Sequence, residues 1–123
     1  MYVRTITFQA FLLMVSLANA GTATLTDAGA KNLGSSAAYV AICEKEGLLA
    51  SGTLADLVFE LQQNLTSEHW QKVKTQYQAS LHEKKQYTIA KDKWIPFRMN
   101  SESCSDLGKA LPMVKATLRK FAK

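Results

Sequence analysis

The chain has 123 residues, with 15 Lys+Arg against 10 Asp+Glu and a formal charge of +5 at pH 7. That length holds one domain and is short for two. Its cations are dispersed among acids rather than gathered into a dense stripe with interleaved aromatics, which argues against nucleic acid as a partner.

Residues 1–7 carry one charge, Arg4, and residues 8–17 form an apolar run broken only by Gln9 and Ser16. Ala18-Asn19-Ala20 follows with the small-x-small spacing that a signal peptidase reads, so cleavage is expected before Gly21. A spanning helix needs about 18 or more apolar residues, which this run lacks. Residues 1–20 therefore read as a signal peptide. The expected product is exported, to the periplasm or the extracellular space, and keeps no transmembrane segment after cleavage.

Residues 21–36 are rich in Gly, Ala, Thr and Ser, with Leu25 and Leu33 as the large apolar side chains. They read as a flexible N-terminal arm, with a short helical turn after Asp27. From Ala37 the pattern changes. Ala37, Val40, Ala41 and Cys43 share one helical face, Ser35 or Ser36 is placed to cap it, and Gly47 lies near its end.

A second helix follows Thr53, whose hydroxyl and Asp56 have capping-box spacing. Leu54, Leu57, Val58, Leu61 and Leu65 form its apolar stripe, and Asn64 ends it. Thr66 is placed to cap a third helix, with Leu65 and Trp70 at the two positions of a hydrophobic staple. Trp70, Val73, Tyr77 and Leu81 predict its buried face, and the helix is expected to continue to near Tyr87 or Lys91.

Pro96 disfavours helix at Ile95, so residues 92–100 read as a connection carrying the cluster Trp94, Ile95, Phe97. The last helix is expected to start at Ser103 and to bury Leu107, Ala110, Leu111, Val114, Leu118 and Phe121. Pro112 falls inside that run, and a proline in a helix interior costs about 3 kcal/mol. A kink near Leu111, or two short helices, is the expectation. Four helices and no strand predict an all-α fold, a small four-helix bundle in a single domain over residues 37–123.

Cys43 and Cys104 are the two cysteines. An even count in a small exported chain predicts a disulfide, here a long-range one joining the first helix to the start of the last. Catalytic signatures are missing. His82-Glu83 opens like the zinc-protease helix motif H-E-x-x-H, but Gln86 stands where the second histidine belongs. His69 lies about 20 Å away along the same predicted helix at 1.5 Å per residue, too far to share a metal with His82. No nucleophile elbow and no phosphate-binding glycine loop occurs. The expectation is no enzyme, no metal and no cofactor. Asn64-Leu65-Thr66 matches the glycosylation sequon, but each of its residues already has a helix-boundary role.

Trp94 and Phe97, flanked by Lys93 and Arg98, have the composition of an interface hot spot. These four are the candidate binding residues, and the competing reading is that the aromatics plug the end of the bundle. The layout resembles that of small periplasmic chaperones and of immunity proteins, a likeness of architecture rather than of motif. It implies a non-catalytic binding protein that acts on another protein, such as an inhibitor or immunity-type factor. The alternative is an envelope chaperone or surface-associated structural factor.

Overall fold

Asp27–Lys45 form one continuous helix, α1, which begins well before Ala37. In the computed structural model, which describes residues 15–16 and 24–121, this helix is the centre of the molecule. Residues 32–40 are buried without interruption. The reading of residues 27–36 as part of a loose arm is corrected. A helix enclosed on all sides has no polar face, so its hydrophobicity has no 3.6-residue period to detect. Small side chains take the place of the period. A Cβ on Gly34 would lie 2.6 Å from the Val73 carbonyl oxygen and 2.6 Å from Gln76 Cβ. Only glycine permits so close a helix–helix approach. Thr26 caps α1 by accepting from the Gly29 amide at 2.9 Å. Ser35 and Ser36, expected as caps, are instead buried mid-helix.

The end of α1 follows the expectation. Gly47 adopts φ 76°, its amide donates to Glu44 O and the Leu48 amide donates to Cys43 O, the bond pair of a Schellman motif.

Helix α2, Thr53–Asn64, buries Leu57 and Leu61 fully. Its cap differs from the expectation. Gly52 is the N-cap, with φ 95° and no side chain to offer, and the Thr53 hydroxyl turns back to the Ala50 carbonyl. The free amides are satisfied from α1, where the Glu44 carboxylate accepts from Leu54 N at 2.8 Å and Gly52 N at 3.2 Å. Helix α3, Ser67–Glu83, is capped by Thr66 as expected, through the His69 amide. Val73 is buried, with Trp70 and Tyr77 packed against the core.

Helix α3 stops sooner than its sequence pattern suggests. Lys84 takes a left-handed conformation, φ 57° and ψ 47°, and the chain then folds into an antiparallel hairpin of β3, Lys85–Thr88, and β4, Lys93–Pro96. A second short ladder pairs β1, Val15–Ser16, with β2, Thr24–Leu25. Among the described residues the fold is therefore four helices plus small two-stranded sheets, and the all-α expectation is corrected. The expected cleavage position falls between β1 and β2. Ala18, Asn19 and Ala20, with most of the expected signal peptide, lie outside the described residues.

Helix α4, Ser101–Leu118, is capped by Asn100 rather than Ser103: the Asn100 side chain accepts from Ser103 N at 2.8 Å. It runs unbroken through Pro112. The proline is exposed, so its ring and missing amide fall on the side of the helix facing water. Leu107, Leu111, Val114, Leu118 and Phe121 join Leu33, Val40, Leu57, Leu61 and Val73 in one core. The Cys43–Cys104 disulfide ties the last turn of α1 to the first turn of α4, enclosing a sequence separation of 61.

Candidate functional site

The hairpin carries Lys93 and Trp94, and Phe97 and Arg98 follow directly after β4, so its construction explains how the four residues singled out by sequence are held. The register pairs Lys85 with Pro96, Gln86 with Ile95, Tyr87 with Trp94 and Thr88 with Lys93. A turn closes it, with Asp92 N donating to Ile89 O at 3.2 Å and Asp92 at φ 48°, a conformation that Asp tolerates better than most residues.

Strand β3 is fixed to α1 by the polar residues buried along that helix. Asn32 Nδ2 donates to Tyr87 O at 2.9 Å, and Tyr87 N donates to Ser35 Oγ at 3.0 Å. Gln86 Nε2 donates to Ser36 Oγ at 3.0 Å. These side chains take the role of a third strand, satisfying the inner edge of the hairpin where water is excluded.

Tyr87 is the pivot of the site. Its hydroxyl donates to the Asp92 carboxylate, the Lys31 ammonium lies 5.3 Å from its ring centroid, and Trp94 meets its edge at 5.3 Å and 63°. The Asp92 hydrogen bond, burial and the Asp92 charge together raise the Tyr87 phenol above its ordinary value. The phenol therefore stays a donor, and the turn stays locked to the strand.

The sequence treated Trp94 and Phe97 as a pair, and the structure separates them. Phe97 is half-buried and stacks on Tyr39 at 4.6 Å and 17°. Trp94 is 36% exposed, on the opposite side of the strand pleat. Lys93 and Arg98 are both exposed. Their carbonyls are used internally, by Thr88 Oγ1 at 3.1 Å and by the Tyr39 hydroxyl at 2.7 Å, which leaves the cationic side chains pointing to solvent. Lys85 and Lys91 are exposed on the same hairpin, and Lys84 is exposed immediately before it. Residues 84–98 thus contain five cations against Asp92 alone, a local concentration that corrects the reading of the cations as dispersed among acids. The ion pairs seen among the described residues lie elsewhere, at Asp27–Lys72, Asp56–Lys115 and Glu60–Arg119.

Sequence reasoning missed Tyr87, Asn32 and Ser35. A usable signal for Tyr87 was present: Tyr87-Thr88-Ile89 and Trp94-Ile95 are β-formers separated by a short polar stretch, which is a hairpin pattern. Nothing comparable marked Asn32 or Ser35, whose partners lie 55 and 52 residues away.

Other chemistry is sparse. Among the described residues no group of three or more His, Cys, Asp or Glu is placed to hold a metal ion, and no helix is long and apolar enough to cross a membrane. An open cleft of about 440 Å³ lies between residues 50–56 and α4, but Asp56 and Lys115 pair across it and Glu44 already holds the adjacent α2 amides. In the sequon, the Asn64 amide donates to Glu60 O at 2.8 Å, and Thr66 Oγ1 is engaged as a helix cap. The chain matches no protein family, no curated protein and no solved structure.

Proposed function

We propose that this chain is an exported, non-catalytic binding protein that acts on another protein, an inhibitor or immunity-type factor, with the β3–β4 hairpin as its contact surface. One observation carries the reading: Trp94 is held by Tyr87 against a hairpin anchored at buried side chains, yet stays 36% exposed among solvated cations. A rigid aromatic loses little conformational entropy on docking, and hot spots favour Trp ringed by Arg and polar groups. The surrounding charge would speed encounter with an acidic partner. The buried disulfide suits an oxidising compartment, in line with export.

Affinity capture from the exported fraction, followed by titration calorimetry on the recovered partner, tests this. Trp94→Ala should leave the melt within about 1 kcal/mol of wild type while weakening binding by about 2 kcal/mol or more, roughly thirtyfold. Lys93→Ala and Arg98→Ala should slow association and lower its salt sensitivity. Unchanged partner affinity in Trp94→Ala would overturn the reading. Equal suppression of aggregation of unrelated proteins would favour the chaperone alternative. Loss of all binding to a defined protein, with retention on vesicles of phosphatidylglycerol, would favour the surface-associated one.

A further inference from the structure

Among the described residues strand β4 has one paired edge and one open edge, and the hydrogen-bond alternation of the hairpin identifies which groups face outward. In an antiparallel ladder, opposite residues alternate between pairs that exchange bonds and pairs whose N–H and C=O point away from each other. Phe97 N donates to Lys84 O at 3.0 Å, so Lys84 and Phe97 are a bonded pair. Counting along the register makes Lys85–Pro96 unbonded, Gln86–Ile95 bonded and Tyr87–Trp94 unbonded. The α1 contacts agree, because Tyr87 N and O are turned away from β4 to reach Ser35 and Asn32. By the same alternation Trp94 N–H and C=O point out of the opposite edge. Pro96 occupies the next outward position, where its missing N–H costs no ladder bond. No described residue pairs with the Trp94 amide.

We infer that this open edge takes an extended acidic segment of the partner protein as an added strand, with Trp94 as the central pairing position. The inference rests on the binding reading above and specifies its partner chemistry. Trp94 alone can exchange two main-chain bonds with an incoming strand, which is the recognition mode of strand addition. Residues of that strand opposite Trp94 would meet the indole ring, and their neighbours would meet the Lys93 face. An acidic segment with apolar residues at every second position fits both. A second copy of this chain does not: pairing β4 with β4 would juxtapose Lys93 and its neighbouring cations, and Pro96 supplies no donor to extend the ladder. The hairpin thus reads as closed by α1 on one side and available only to a complementary charge on the other.

The test is amide hydrogen exchange, residue by residue, on the full chain with and without a short peptide alternating glutamate and valine. The expected result is saturable binding, with Trp94 N–H exchange slowed about tenfold or more and Ile95 N–H, already paired to β3, little changed. A peptide alternating lysine and valine should not bind. Trp94→Pro, which removes the outward N–H at a position of the same class as Pro96, should bind about tenfold more weakly than Trp94→Ala, the loss of one hydrogen bond at the interface. Its melt is compared with that of Trp94→Ala to separate folding from binding. Glutamate-peptide binding without slowed Trp94 exchange would remove strand addition and leave the binding reading standing. No binding of the glutamate peptide, in a chain whose captured partner still depends on Trp94, would overturn the acidic-strand inference alone. No dependence of any partner on Trp94 would end both.

Discussion

Helices α1 and α2 pack on the same core and solve opposite problems. Only Leu57 and Leu61 of α2 are fully buried, and exposed residues such as Ala55, Asp56 and Phe59 complete its turns. In α1 the whole stretch 32–40 is enclosed, and four of its nine residues are Asn, Gly or Ser. A helix at the rim of a core is specified by a stripe of large apolar side chains. One at its centre is specified by small residues that let neighbours approach and by polar residues that satisfy buried backbone. Apolar periodicity detects the first kind and is blind to the second.

The largest break in this comparison should come from releasing the C-terminal end of α1. Chain entropy puts a loop with a sequence separation of 61 at roughly 4 kcal/mol of stabilisation. Cys43→Ser and Cys104→Ser should each lose that amount, and the double variant should lose hardly more, as read from denaturant melts under oxidising conditions. Additive losses would mean that the thiols act separately.

Gly34→Val should rank next. Its Cβ would meet α3 backbone at 2.6 Å, and overpacking of a tight contact costs roughly 3 kcal/mol at the upper end. Ala55→Val on the exposed side of α2 should stay within about 0.5 kcal/mol. Equal effects at the two positions would abolish the distinction between centre and rim.

Asn32→Ala isolates the polar part of α1. It leaves the Tyr87 carbonyl without its donor, a loss of about 1–3 kcal/mol. Amide exchange should quicken in β3 and β4 more than in α2. A uniform change across the molecule would show that Asn32 supports the core generally rather than the hairpin.

The smallest expected effect belongs to the rim. Arg119 donates to both carboxylate oxygens of Glu60, at 2.8 and 3.2 Å, and that hydrogen bond is the main reason Glu60 lies below its ordinary value of 4.5. A carboxylate with a depressed folded pKa adds stability that is complete above the unfolded value and fades as pH falls through the folded one. Arg119→Ala should therefore lower Tm slightly at neutral pH, with the difference from wild type closing below pH 4.5. A gap that persists into acid would point to lost packing by the arginine stem instead.

The amphipathic elements were legible because the information is local. Leu57 and Leu61 lie one helical turn apart, Thr66 caps an amide three residues on, and Gly47 meets a left-handed requirement next to the helix it ends. The disulfide was legible for another reason: two cysteines admit a single intramolecular pairing. Of the candidate site, the residues were found and their arrangement was not. Trp94 and Phe97 are three apart, which says nothing of sidedness until a strand pleat places Phe97 against Tyr39 and leaves Trp94 partly exposed on the other side.

What only the tertiary structure decided shares one physical cause, that the deciding partner is distant in sequence. Gly34 signals flexibility until Val73 and Gln76 close on it. Glu44 is one more acid near a helix end until its carboxylate reaches the amides of Gly52 and Leu54. Lys84 ends α3 with no glycine to announce it, and the conformation holds because Phe97 bonds to its carbonyl while α1 receives the strand that follows. Local chemistry determined three of the helices and their main stripes, and the cysteine count determined the cross-link. The centre of the core, the hairpin and its open edge were set by contacts that form only when the chain has already folded back on itself.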